Sequence, residues 1–152
     1  MKAFRRRLSR ARELTARQWR VLLAALFWLA VTDIALRASG FPRVQRMLLT
    51  SRRPGNEKVS PDGMGEIVRL VDMAARRLPH SGTCLRRSLV LQRFLRREGI
   101  ETELRFGVRK TDGGLEAHAW LEHEGLPLGE AAPVEERFAK LLQAGELRKA
   151  YP

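Results

Sequence analysis

A chain of 152 residues and 17.4 kDa has room for one ordinary domain with its own core, which excludes a multidomain reading. Hydrophobic residues at 44% and charged residues at 30% are globular proportions and exclude a disordered or fibrous chain. The net charge of +12 is uneven: residues 1–56 hold 13 basic residues against Glu13 and Asp33, whereas residues 57–152 hold 16 against 15 acids. The excess therefore sits in an N-terminal arm, and no nucleic-acid partner is expected. The chain divides into a basic and apolar helical segment, 1–56, and a domain proper, 57–152.

One cysteine excludes an internal disulfide framework and any cysteine-built zinc or iron–sulfur cage. It suits a reducing cytoplasm, and the opening Met-Lys-Ala-Phe-Arg-Arg-Arg does not by itself make a signal peptide. With His80, His118 and His123 scattered, neither a metal nor a cofactor is expected.

In chain order, a basic helical stretch from Ser9 runs on through an apolar segment to about Ala38, where Ser39-Gly40 stops it. Val21 to Thr32 is twelve residues without a charge, whereas a spanning helix needs roughly 20 apolar residues. The helix, apolar on every face, is read as a docking element wrapped by the domain, a partner or lipid. Peripheral contact with an anionic membrane is the alternative to a solvated arm. Phe41-Pro42 opens a short segment with Met47, Leu48 and Leu49, and Ser51 to Lys58 reads as a loop.

Ser60-Pro61-Asp62 is a helix start: Ser caps, Pro fits the first helical position and an acid meets the dipole. Met64, Ile67, Val68, Val71, Ala74, Ala75 and Leu78 give that helix one apolar face, and Pro79 to Gly82 ends it. A second helix runs from Thr83 to about Glu98, with Leu85, Leu89, Leu91, Phe94 and Leu95 inward, Arg86, Arg87, Arg93, Arg96 and Arg97 mostly outward, and Gly99 as its cap. The period then falls to two. Leu104, Phe106 and Val108 mark a strand, Asp112-Gly113-Gly114 a turn, Ala117 to Glu122 a second strand, and Leu126 to Glu130 a short third one after a three-residue loop, His123-Glu124-Gly125. Pro133 to Leu147 reads as a final helix. Helices followed by an antiparallel meander predict an α+β fold.

Cys84 falls in the first turn of its helix, where free N–H groups and the dipole favour a thiolate. His118 lies mid-strand. With the three-residue loop, Glu122 pairs with Leu126 and His118 stands opposite Glu130, on one face. A carboxylate there can hold one imidazole nitrogen and leave the other for a thiol, the arrangement of covalent catalysis. Glu116 and Glu122 share the His118 face as alternatives to Glu130. Trp120, on that face too, is a candidate wall for substrate.

The order of helix-borne Cys, strand-borne His and acid on the next strand resembles the transglutaminase-like, papain-like cysteine hydrolases. Thr83-Cys84-Leu85-Arg86-Arg87-Ser88-Leu89, then Leu95 to Ile100, Leu104 to Val108 and Ala117-His118-Ala119-Trp120-Leu121-Glu122 are similar to the leader peptidase of lasso-peptide biosynthesis, the protease part of the lasso B protein. The likeness is close over roughly 60–130. It implies that 57–152 is a cysteine protease domain with Cys84 as nucleophile, His118 as base and acid, and Glu130 as the acid, where that family commonly has Asp. It also implies a lasso precursor as substrate, a separate small leader-binding protein and an ATP-dependent macrolactam cyclase as partners. Spacing alone points only to a cysteine hydrolase or acyltransferase. A non-enzymatic basic binding module, with Cys84 and His118 structural, is the remaining alternative.

Overall fold

The computed structural model describes residues 14–50, 60–78, 83–130 and 133–141. The loop at 51–58, the helix end at 79–82, most of the basic arm and residues 142–147 of the expected last helix lie outside them. Four helices, α1 (Ala16–Ser39), α2 (Phe41–Leu49), α3 (Pro61–Ala75) and α4 (Thr83–Arg97), precede the strands β1 (Glu103–Thr111), β2 (Gly114–His123) and β3 (Leu126–Pro127). A single helical turn, α5 (Val134–Arg137), and a last strand, β4 (Ala139–Lys140), follow. The fold class is α+β. The sheet is antiparallel, in the order β3-β2-β1-β4.

Local chemistry explains most boundaries. Thr15 and Gln18 form a reciprocal capping box at the start of α1. Pro42 in the first turn of α2 starts a helix whose Val44 and Leu48, four apart, are buried, so the segment after Gly40 is helical. Ser60 accepts from the Gly63 amide and caps α3. At the end of α4, Gly99 N–H donates to Arg96 and Ile100 N–H to Leu95, satisfying the last carbonyls.

Leu22, Ala25 and Leu29 of α1 join Val44 and Leu48 of α2, Ile67, Val71 and Ala74 of α3, and Leu89, Val90, Leu91 and Leu95 of α4 in one buried cluster. Leu104 of β1, with Ala119 and Leu121 of β2, closes it from the sheet. Burying each large apolar side chain contributes about 1.5–3 kcal/mol. Asp33, which interrupts the apolar run of α1, is taken up by Arg86 at 2.7 Å and Arg37 at 3.2 Å. By length and composition α1 could cross a membrane, its most apolar 18 residues having a mean hydropathy of 1.9. Its inner side nevertheless belongs to the core, while Trp19, Leu23, Phe27 and Ile34 stay exposed along its outer side.

The structure corrects four expectations. Arg86 and Arg87 turn inward; Arg86 is 5% exposed. The loop after β2 is the two-residue turn Glu124-Gly125, both at positive φ (51° and 81°), a geometry that matches strand twist. It pairs Glu122 with Pro127 and His123 with Leu126, one residue away from the expected register. The third strand then ends at Pro127, and the expected helix from Pro133 stops at Arg137. Beyond it the chain becomes β4, because the free edge of β1 offers hydrogen bonds: Leu141 N–H donates to Phe106 at 2.8 Å, and Phe138 is buried.

Candidate active site

In β2 the backbone of Leu121 faces β3, accepting from Leu128 N–H at 2.8 Å, so Ala119, two residues back, faces the same edge. β3 is too short to reach Ala119, and α4 takes its place. Ser88 Oγ donates to the Ala119 carbonyl at 3.1 Å, and the Ala119 backbone hydrogen-bonds the Cys84 sulfur. The N-terminal turn of α4 is thereby held against the β2 edge, with Cys84 half-buried beside His118.

His118 projects from the face of β2 opposite Ala119 and Leu121. Its ring stacks on Phe138 at 5.0 Å and on Trp120 at 6.0 Å between centroids, which fixes its plane. Gly107 makes the packing possible, since a β-carbon there would stand 2.9 Å from Phe138 and 3.0 Å from the Trp120 ring. The Nε2 atom lies 3.1 Å from Glu130 Oε2, which leaves Nδ1 for the hydrogen bond with the Cys84 thiol.

Glu130 therefore meets His118, but not by the expected route. Continued in the observed register, the ladder would set Glu130 opposite Ala119 and turn it to the other face. Instead the strand ends, Gly129 adopts φ +69°, and the bend returns the carboxylate to His118. Trp120 is fully buried, its indole donating to Glu122 Oε1 at 3.0 Å, so it supports the histidine from below and does not line a substrate surface. The alternative acids are engaged elsewhere: Glu116 pairs with Arg109 at 2.7 Å, and Glu122 binds Arg105 at 2.8 Å. His123 points away, its Nδ1 2.8 Å from the Glu101 carbonyl.

Each titratable group is displaced toward its charged form. Burial pushes the Cys84 thiol up, but hydrogen bonds from His118 and the Ala119 backbone, with the imidazolium charge, bring it below the ordinary thiol value. The His118 imidazole rises to about 9, through its hydrogen bond with Cys84 first and then Glu130, against burial. Burial raises Glu130, yet His118 and Arg87 hold it below the usual carboxylate range. The arrangement favours a thiolate–imidazolium pair backed by a carboxylate, which can attack a carbonyl and protonate a leaving group. Among the described residues, no three His, Cys, Asp or Glu side chains gather to hold a metal ion.

Sequence reasoning missed Arg87, whose guanidinium reaches the same carboxylate with Nη1 3.2 Å from Glu130 Oε1. Its signal was its spacing, one helical turn beyond Cys84 and so on the same side of α4. No match was found among curated proteins or among solved structures. The pattern of the transglutaminase-like superfamily matches residues 28–143, from within α1 to beyond β4; it spans Cys84, His118 and Glu130, and the chain belongs to that superfamily.

Proposed function

We propose that the protein is a cysteine peptidase that removes the leader from a ribosomally made lasso-peptide precursor. Membership of the transglutaminase-like superfamily supports cysteine-protease or acyltransferase chemistry. The finer reading draws on the order and content of the motifs around Cys84, Leu95 to Ile100, Leu104 to Val108 and His118. The observation that carries the cysteine chemistry of this reading is the continuous hydrogen-bonded chain from the Cys84 thiol through the His118 ring to the Glu130 carboxylate.

The Cys84 thiolate attacks the carbonyl carbon of the last leader residue, forming a carbon–sulfur bond as the oxygen takes the negative charge. Collapse of that adduct breaks the peptide bond, and the His118 imidazolium gives its proton to the departing amine of the core peptide. The neutral imidazole then takes a proton from water, whose oxygen attacks the thioester. Cleavage of the carbon–sulfur bond releases the leader as a carboxylic acid and restores the thiolate–imidazolium pair. Glu130 holds Nε2 throughout, which keeps Nδ1 aimed at sulfur and offsets the imidazolium charge. A separate leader-binding protein presents the precursor, and an ATP-dependent cyclase closes the ring on the freed amine.

Incubating precursor, this chain and a leader-binding partner, with mass analysis of the products, tests the reading. Hydrolysed leader and intact core are expected, and both disappear in Cys84→Ala. An amine acceptor added to the reaction separates the alternatives: a leader–amine adduct displacing the hydrolysed leader would mean acyl transfer is the native step. Neither fragments nor adduct, from a chain whose thiol reacts normally with iodoacetamide, would overturn the proposal.

A further inference from the structure

Glu130 lies beyond the end of β3, where the sheet ladder no longer fixes the backbone. Among the described residues its carboxylate partners are His118 and Arg87. Arg87 is anchored on every side. Its Nε donates to Asp72 of α3, its Nη1 to Glu130, and its Nη2 to the carbonyls of Leu128 at 3.4 Å and Gly129 at 3.1 Å. The side chain is 13% exposed. Gly129 is shaped around it, for a β-carbon at that position would collide with the Arg87 guanidinium and stand 2.8 Å from Val68.

We propose that Arg87 is the positioning residue of the active site: one helix supplies both the thiol and, a turn later, the guanidinium fork that sets where the carboxylate meets the imidazole. The inference rests on the reading of Cys84, His118 and Glu130 as the catalytic groups. A planar fork that reads a carboxylate and two carbonyls at once fixes position and direction, which a lysine ammonium does not. Asp72 holds the fork from the opposite side and neutralises part of its charge, leaving Arg87 a rigid bracket between α3, α4 and the Leu128–Glu130 bend.

A bracket predicts more than lost stability. With Arg87 replaced, the Glu130 carboxylate is free to turn from Nε2, and His118 loses its second-largest support for the charged form. The measurement is the rate of Cys84 alkylation by iodoacetamide across pH, on the full chain without substrate. In Arg87→Gln the alkaline limb, set by His118, is expected to fall by about one pH unit. Arg87→Lys keeps the charge without the fork and shifts the limb in the same direction by less. Asp72→Asn, which leaves Arg87 present but unanchored, provides the same test should Arg87→Gln not fold. A limb that stays in place in Asp72→Asn and Arg87→Lys makes Arg87 merely structural and overturns the inference. So does a limb that rises, which would mean that its positive charge, not its hold on Glu130, is what His118 senses. Slow wild-type alkylation at every pH would instead overturn the assignment of Cys84, so the two failures are distinguishable.

Discussion

Glu122, buried, and Glu130, half-buried, lie on either side of the β2–β3 turn, each gripped by an arginine and each held below the usual carboxylate range. Glu122 is met by groups that do not exchange a proton near neutrality: the Arg105 guanidinium at 2.8 Å, the Trp120 indole at 3.0 Å and the Lys140 ammonium at 3.3 Å. It ties β1, β2 and β4 together. Glu130 gives one oxygen to a permanent cation, Arg87, and the other to His118, whose proton can move and whose far nitrogen serves a thiol. A carboxyl pKa lowered by an arginine is thus common to a carboxylate that ties strands together and to one that faces His118. What separates them is one partner able to change protonation state beside a nucleophile.

The largest effects should come from the groups that touch the reacting atoms. Cys84→Ala and His118→Ala are expected to abolish precursor cleavage while leaving the folded spectrum intact. Glu130→Gln keeps the shape and loses the charge, and should lower kcat/KM roughly a hundredfold or more, close to Glu130→Ala. Glu130→Asp should retain much of the activity. Glu122→Gln should do the reverse, leaving the turnover of the folded protein near wild type while costing about 1–3 kcal/mol in denaturant unfolding. Cleavage crippled in Glu122→Gln and normal in Glu130→Gln would exchange the two roles.

Gly129→Ala sharpens the contrast from the backbone side. It forces a side chain into a positive-φ position already filled by Arg87, and should cost activity through a displaced Glu130 without altering the Glu122 network. Restored activity in a Gly129→Ala, Arg87→Ala double variant would show that neither the glycine nor Arg87 is needed to place Glu130.

The pH dependence follows from the directions of the shifts. His118 rises from 6.5 to about 9, so the stability from its charged form is complete below about 6.5 and is lost as pH climbs through 9. Cys84 and Glu130 are lowered, so their contributions are present above their ordinary values and are lost as pH falls through the displaced ones. The reactive ion pair should persist from below the ordinary thiol range up to about 9, and kcat/KM should fall on the alkaline side near 9. A fall centred near 6.5 would mean that Cys84 and Glu130 do not act on His118.

The smallest effect is expected at Gly107, where alanine must push aside Phe138 and the Trp120 ring beneath His118, costing about 1–3 kcal/mol of stability. Activity should follow only as far as the ring is tilted, which a comparison of alkylation rates measures.

Patterns confined to a few neighbouring residues were legible in the sequence. The caps at Ser60 and Gly99, the helical period from Met64 to Leu78 and the alternation from Glu103 to Glu122 each arise from contacts a residue makes within its own element. Tertiary competition decided the rest. A turn of two residues in place of three shifted the β3 register. The open edge of β1 drew Ala139 and Lys140 out of a helix and into a strand. Cys84 and His118 were readable because reactive residue types at an element start and on a strand are local signals. Glu130 arrived as expected in identity, yet through a glycine bend where a straight ladder had been expected. Arg87 was read as surface because a basic residue on a helix ordinarily faces water, and only the fold shows Asp72 and Glu130 waiting on its inner side. A side chain's periodicity states which face it occupies; what that face meets is set by other parts of the chain, brought there by the collapse of the whole core.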